Sequence, residues 1–531
     1  MRSKFTLLFI LLFSLSTLSV KAQCGTTNIA GDYIVNSSII LSGTYSVTGR
    51  FVVPSNVTVF VNKYSSNGCG KLTIYCKTAV IQGTINADDA GYTGGTGGLP
   101  GTSVTSLTGD IVSLTACSNK DNTGQVTIQG GLQGITGSGP GAGLPGTAGQ
   151  SGSGPKQQCL NTSDEAGMIG SGGGAGGGAG GSYGGNGGNG GNGGSGTNSY
   201  TATGVNVSVA YSVVSGSGGT GGTSASAYGT VNASDIDMGS GGAGAGGGAL
   251  SYVQGGNGGK GGNGGGMVKI VAQDSLVISG MIMANGTNGL NGGLGGDGGV
   301  TVKCCTDGCD DCGEANLSCG AGGGSGAGGG AGGGIYMESP GYMNITGTMQ
   351  AKGGNGGAAG AKGNGVSCNY SATFCGTQAL TSGSGNNGNM GGAAGGGRIK
   401  IFASSCVTNN INPTTSINGG TGFITAAAGT YSVMCSNVTS IEENTAYHKL
   451  MIFPNPATDL VTIKFRFPQF LADAQAEFQI YDLNAKLVLS QKCDLNTKEE
   501  QELYLTELSS GIYILKLISN DVIVTEKIIK H

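Results

Sequence analysis

Gly332-Gly-Gly-Ile-Tyr-Met-Glu-Ser-Pro-Gly-Tyr-Met-Asn-Ile-Thr-Gly-Thr-Met-Gln-Ala-Lys-Gly-Gly-Asn-Gly-Gly357 joins a glycine run, two short apolar strands and a second glycine run. Relatives of it recur. Met267-Val-Lys-Ile-Val-Ala272 precedes Ser275-Leu-Val-Ile-Ser-Gly-Met-Ile-Met-Ala-Asn-Gly286, and Arg398-Ile-Lys-Ile-Phe-Ala403 precedes a looser copy ending at Gly420. Leu72-Thr-Ile-Tyr-Cys76 and Ala79-Val-Ile-Gln-Gly-Thr-Ile-Asn-Ala87 form an early copy. Val268 recurs as Ile335, 67 residues on, and then as Ile399, 64 further on. Such spacing implies one supersecondary unit stacked on its neighbours.

Period-two alternation with β-branched residues reads as strand. Gly83, Gly280 and Gly347 hold one fixed place in the copies. Glycine there serves positive φ or a close backbone approach, and marks a corner between two faces. The expected fold is all-β: a right-handed parallel β-helix with glycine-rich insertions. Glycine is 113 of 531 residues, roughly three times the usual ~7%. Gly184-Gly-Asn-Gly-Gly-Asn-Gly-Gly-Asn192 repeats every three residues, so in polyproline II Asn186, Asn189 and Asn192 share one face. A flexible linker is the alternative, because glycine loses the most backbone entropy on ordering. With 10 Pro and other runs of period four, collagen is excluded.

Residues 1–22 have the basic start, apolar core and small-residue end of a signal peptide. Residues 23–90 read as the first rungs and cap, 91–263 as a glycine-rich region with scattered strands, and 264–435 as the clearest repeats. Residues 436–446 read as a linker, and 447–531 as a separate β-sandwich where glycine recedes and charge returns. No other segment is apolar enough to span a membrane. A net charge of -4 with 10% charged residues gives no reason to expect nucleic acid as partner.

The C-terminal segment carries Pro454-Asn455-Pro456, Tyr481-Asp-Leu-Asn484, Leu508-Ser-Ser-Gly511-Ile-Tyr513-Ile-Leu515, and Lys527 and Lys530 near its end. In that order these motifs resemble the type A C-terminal sorting domain of the type IX secretion system. The resemblance implies export across a Gram-negative outer membrane by the type IX machinery, removal of this domain, and attachment to the cell surface or release. It implies nothing about the passenger's activity.

Of the 15 cysteines, 14 precede Cys493, an even count that in an exported chain favours disulfides. Cys69–Cys76 and Cys368–Cys375 are expected to close short loops. Cys304, Cys305, Cys309, Cys312 and Cys319 fit either a stapled loop or, through the Cys309/Cys312 spacing, a zinc knuckle; the loop is preferred. Gly292-Gly-Leu-Gly-Gly-Asp297 opens like a calcium-binding nonapeptide but has Gly299 where an apolar residue is needed. Neither metal nor cofactor is expected. Asp88-Asp89 and Asp235-Ile-Asp237 are close acid pairs of the kind polysaccharide-cleaving β-helix enzymes use, though acidic turns are common. The passenger has no histidine, which removes Ser-His-Asp and Cys-His chemistry.

The expected function is a secreted, structural or adhesive, non-enzymatic surface protein, with a surface glycan or matrix as partner. A β-helix enzyme acting on extracellular polysaccharide is the alternative. An ice- or mineral-binding face would need a regular Thr or Asn ladder, of which only Asn186, Asn189 and Asn192 give a hint.

Overall fold

The computed structural model describes residues 24–65, 69–101, 120–127, 130–159, 165–167, 172–196, 200–204, 207–211, 215–250, 253–298, 300–303, 314–317, 319–365, 367–372, 376–435, 450–465, 475–484, 486–494, 500–519 and 522–531. The fold is all-β, with no helix among the described residues. The expected signal peptide and the 436–446 linker lie outside them.

Two parallel sheets organise the repeats. One runs Thr26–Ile29, Gly43–Val53, Lys71–Ile81, Met267–Ile278, Gly334–Ser339, Arg398–Ala403, Thr430–Cys435. The other runs Ile39–Leu41, Thr58–Val61, Thr84–Asn86, Met281–Met283, Thr348–Gln350, Thr414–Ser416. The register stacks like on like. Leu72, Val268, Ile335 and Ile399 form one row, and Ile74, Ile270, Met337 and Ile401 the next. In the second sheet Ile85, Ile282 and Met349 align. Each is 0% exposed, and burying such a side chain stabilises by about 1.5–3 kcal/mol. A one-residue slip would turn every row to the other face, so the rows fix the register.

Gly83, Gly280 and Gly347 stand where the chain passes from one sheet to the other. Their N–H groups donate to the carbonyls of Val53, Ile81 and Ile278, each at 3.0 Å. A Cβ on Gly280 would lie 2.0 Å from the Gly83 oxygen, and one on Gly347 would lie 2.1 Å from the Gly280 oxygen. Close stacking, not positive φ, selects glycine at these corners.

The glycine runs are ordered by their own amides. In 239–249 the N–H groups of Gly242, Ala245 and Gly248 donate to Gly262, Gly259 and Gly256. Those of Gly241, Gly244 and Gly247 donate to Ser138, Ile135 and Leu132, and those of Ala243, Gly246 and Ala249 to Ala179, Gly176 and Gly173. Every third amide therefore reaches the same antiparallel neighbour, which is the periodicity of an extended helix with three residues per turn. Segments 173–181 and 320–332 bond outward with the same three-residue period, but one neighbour of each, 323–329 and 386–392, runs parallel. Alanine replaces glycine where a methyl finds room, as at Ala175, Ala243 and Ala327, all fully buried.

The cysteine pairing departs from expectation. Cys69 is bonded to Cys24 (Cα–Cα 5.4 Å), so the expected Cys69–Cys76 loop does not form. Cys76 belongs to the inward row with Val47 and Ala272, where strand alternation aims it away from Cys69. Burial pushes its thiol up to about 12. Cys406 and Cys435 make a second pair, Cα–Cα 5.5 Å. Cys319 is buried. Cys304, Cys305, Cys309, Cys312 and Cys375 lie outside the described residues, as does any account of the Cys368 side chain.

The C-terminal segment forms two antiparallel sheets. One orders Leu450–Phe453, Leu460–Phe465 and Glu500–Tyr504; the other orders Leu487–Asp494, Gln475–Tyr481, Gly511–Ser519 and Val522–Lys530. They enclose a core of their own that includes Val461, Ile463, Phe478, Ile480, Leu503, Leu515 and Ile528.

Gly176→Ala would place a Cβ 1.9 Å from the Thr220 oxygen. It should cost about 1–3 kcal/mol, as overpacking does. Gly25→Ala, where nothing lies within 4 Å, should stay within about 0.5 kcal/mol. Thermal unfolding of the two variants reads the difference.

Candidate functional site

Three arrangements are candidates: a continuous uncharged layer, a polar seam on the first sheet, and the C-terminal domain.

The layer is built by the outer glycine-rich segments. Leu132, Ile135 and Ser138 donate backbone N–H to the carbonyls of Leu99, Thr96 and Thr93 at 2.8–2.9 Å. Leu144, Thr147 and Gln150 donate likewise to Thr223, Thr220 and Ser217 at 2.9–3.0 Å. Asn186, Asn189 and Asn192 share a face as the sequence suggests, and their Oδ1 atoms accept the N–H groups of Ala227 (2.6 Å), Ser224 (2.9 Å) and Gly221 (2.7 Å). Because each segment repeats every three residues, outward side chains recur about every 9 Å along it. Thr96, Leu99, Leu132, Ile135, Leu144, Thr220, Thr223 and the three asparagines are all exposed. None carries a charge.

The polar seam lies where residues 228–238 cover the outer face of the first sheet. Lys400 is 0% exposed and Arg398 4% exposed. The Lys400 ammonium donates to the carbonyls of Ala233 (2.8 Å) and Asp235 (2.5 Å) and to Asp235 Oδ1 (3.0 Å). Arg398 Nη2 donates to the carbonyls of Tyr228 (2.7 Å) and Gly229 (3.1 Å). Tyr183 Oη accepts the Asp237 N–H at 2.7 Å, and Asp237 pairs with Lys71 at 2.8 Å. Burial raises the Asp235 carboxyl, but hydrogen bonds from Thr230 and the Lys400 ammonium outweigh it and hold the group at about 2. Nearby, Tyr336 donates its hydroxyl to Glu338 at 2.6 Å, and burial raises the Glu338 carboxyl.

Both acid pairs have structural partners. Asp235 and Asp237 are taken up by the seam. Asp88 Oδ1 accepts the Asn285 N–H at 2.7 Å. Asp89 is engaged by the Lys63 ammonium and by Asn263 Nδ2. Asp297, in the calcium-like stretch, accepts the Asn364 N–H at 2.7 Å. Burial of Lys400 and Arg398 was not readable from Arg398-Ile-Lys-Ile401, which alternates like a half-exposed strand. The covering segment comes from 160 to 170 residues earlier in the chain, as the separations of 165 to 170 in these bonds show.

In the C-terminal domain the two ends of the motif set meet. Asn455, between Pro454 and Pro456, donates Nδ2 to the Lys527 carbonyl (2.7 Å) and accepts the Ile529 N–H (2.9 Å). The Lys530 ammonium pairs with Asp459 at 3.1 Å, and Tyr513 donates its hydroxyl to Ser509 at 2.8 Å. Gly511 opens the strand that carries Tyr513.

Residues 451–531 match the secretion system C-terminal sorting domain family. The chain therefore carries a type IX sorting tail and is a type IX secreted protein. A search of curated proteins gives no match. Among solved structures, dimeric latent PorU from Porphyromonas gingivalis aligns over 20% of this chain and 10% of its own, at 18% identity and a TM-score of 0.13. The aligned part thus spans a tenth of that protein, and at that score the likeness carries no argument. No helix among the described residues is long and apolar enough to cross a membrane.

A carboxyl held below its ordinary 3.8 stabilises the fold above that value and loses the contribution as pH falls toward 2. The chain has no Trp and 18 Tyr, so the emission of Tyr183 and Tyr228 in the seam is read as the difference from a Tyr183→Phe, Tyr228→Phe variant. The wild type should show a transition between pH 4 and 2, whereas Asp235→Asn should show the loosened signal already at neutral pH. Asn455→Ala should cost the tail about 0.5–1.5 kcal/mol through the two lost hydrogen bonds, read as faster proteolysis of residues 451–531.

Proposed function

We propose that the mature chain is a structural or adhesive protein of the cell surface or extracellular matrix, and not an enzyme. Its passenger is read as a right-handed parallel β-helix flanked by a bundle of polyproline II segments. The observation that carries this is the uncharged layer: rigidly bonded segments presenting hydroxyl, amide and aliphatic side chains at one repeat. Such an array favours many weak contacts along a neutral repetitive polymer, and multiplied weak contacts give avidity without a deep pocket. A surface glycan or matrix polymer suits it, since a net charge of -4 over 531 residues offers little electrostatic steering. The Asp88–Asp89 and Asp235–Asp237 pairs are engaged by structural partners, which supports the non-enzymatic reading.

Two experiments bear on this. A chain lacking residues 447–531 should remain in the periplasm; its appearance on the surface would refute the sorting role. Leu132 and Ile135 are 47% and 59% exposed. Leu132→Lys with Ile135→Lys should lower adhesion of displaying cells to purified matrix polysaccharide several-fold without shifting thermal unfolding. Unchanged adhesion would contradict the role of the layer.

A further inference from the structure

The sorting tail has a face that its own fold leaves uncovered. In an antiparallel sandwich one side of each strand faces the core and the other is ordinarily polar. The strand Gly511–Ser519 departs from this. Tyr513, Leu515 and Leu517 point inward and are 8%, 0% and 1% exposed, yet Ile512 and Ile514 on the opposite side are 43% and 37% exposed. The register gathers further apolar groups beside them. Ile514 lies opposite Tyr481, Tyr481 opposite Leu487, and Ile512 opposite Ile529. Leu487 is 45% exposed, and Leu483 in the adjoining turn 71%. The next row on the same face is polar, with Lys516 between Gln479 and Thr525. That polar row separates this exposed apolar end from Ile518, which lies in the following row between Glu477 and Ile523.

Its surroundings are cationic. Lys527 lies opposite Ile514, Lys516 follows two residues after it, and Lys486 precedes Leu487. The acid in the turn, Asp482, spends its Oδ1 on the N–H groups of Asn484 and Lys486, both at 2.9 Å.

We propose that this end of the sheet is the surface by which the export apparatus captures the chain, its partner being a protein that presents an apolar patch ringed by carboxylates. This rests on the sorting role of the tail. A second copy of the chain is disfavoured as occupant, because apposed lysine rims repel, whereas an acidic rim attracts and steers encounter. The Asn455 clamp fixes the last strand, so the patch is presented on a rigid element, with little ordering cost on docking.

The test uses the full chain in a bacterium that exports it. Ile512→Thr with Ile514→Thr keeps strand-forming residues and should lower the exported fraction about tenfold, with tail-bearing protein accumulating in the periplasm. Tyr504→Thr removes a comparably exposed aromatic (60%) from the other sheet and should export normally. Lys516→Glu with Lys527→Glu alters the rim without touching the core and should also impair export. This pair decides the matter if the isoleucine variant proves protease-sensitive. Normal export of the isoleucine pair would overturn the proposal, as would normal export of the lysine pair. So would self-association of the purified chain that Ile512→Thr with Ile514→Thr abolishes while export is unchanged. If deletion of 447–531 blocks export and these variants do not, only the patch falls. If the deleted chain is exported, the sorting reading falls first.

Discussion

The passenger depends on one kind of contact: the close approach of glycine segments, in which a backbone N–H donates to a carbonyl of one neighbour while the Cα lies against a carbonyl of another, leaving no room for a Cβ. At Gly176, Gly244 and Gly328 an added Cβ would stand 1.9, 1.9 and 1.8 Å from a neighbouring carbonyl oxygen. Glycine costs more entropy to order than any other residue. The chain offsets that cost with amide hydrogen bonds to neighbours around each segment, and each nets about 0.5–1.5 kcal/mol. A buried amide without such a bond would cost more than the bond itself contributes. The packing is therefore cooperative: removing one segment leaves the amides of several neighbours unpaired.

The other features follow from that closeness. The apolar rows of the two parallel sheets give the glycine segments a fixed origin, because each segment leaves and re-enters at a defined strand. The corner glycines belong to the same regime, with the turns of successive repeats stacked on one another's carbonyls. Where a segment reaches the surface, the residue facing out is free to vary, and Thr, Leu, Ile and Asn occupy it. The exposed layer is the outward face of the same three-residue repeat that orders the interior. The seam under residues 228–238 is the exception, where charged side chains hold backbone carbonyls that no glycine amide reaches.

Much of this was legible because side chains encode it. Val268, Ile335 and Ile399 align in the sequence and lie in register. Asn186, Asn189 and Asn192 share a face, as a three-residue turn requires. Pro454-Asn455-Pro456 and the Lys-rich end identify the tail, and Asn455 joins the two. What was not legible lacks a side-chain code. Which glycine run lies beside which cannot be read from residues with no Cβ, and partners such as Ala243 and Ala179 lie far apart in the chain. Cys69 paired with Cys24 because the strand's alternation turns Cys76 inward, which a loop-length argument does not see. The burial of Lys400 has no local signal, because the segment that covers it belongs to a different part of the chain.

Amide hydrogen exchange on the secreted protein tests the central contact most directly. Protection of the glycine amides in 173–181, 239–249 and 320–332, comparable with that of the strand Met267–Ile278, is the result this structure predicts. Exchange of those amides at the rates of an unstructured chain, with the strands alone protected, would contradict it.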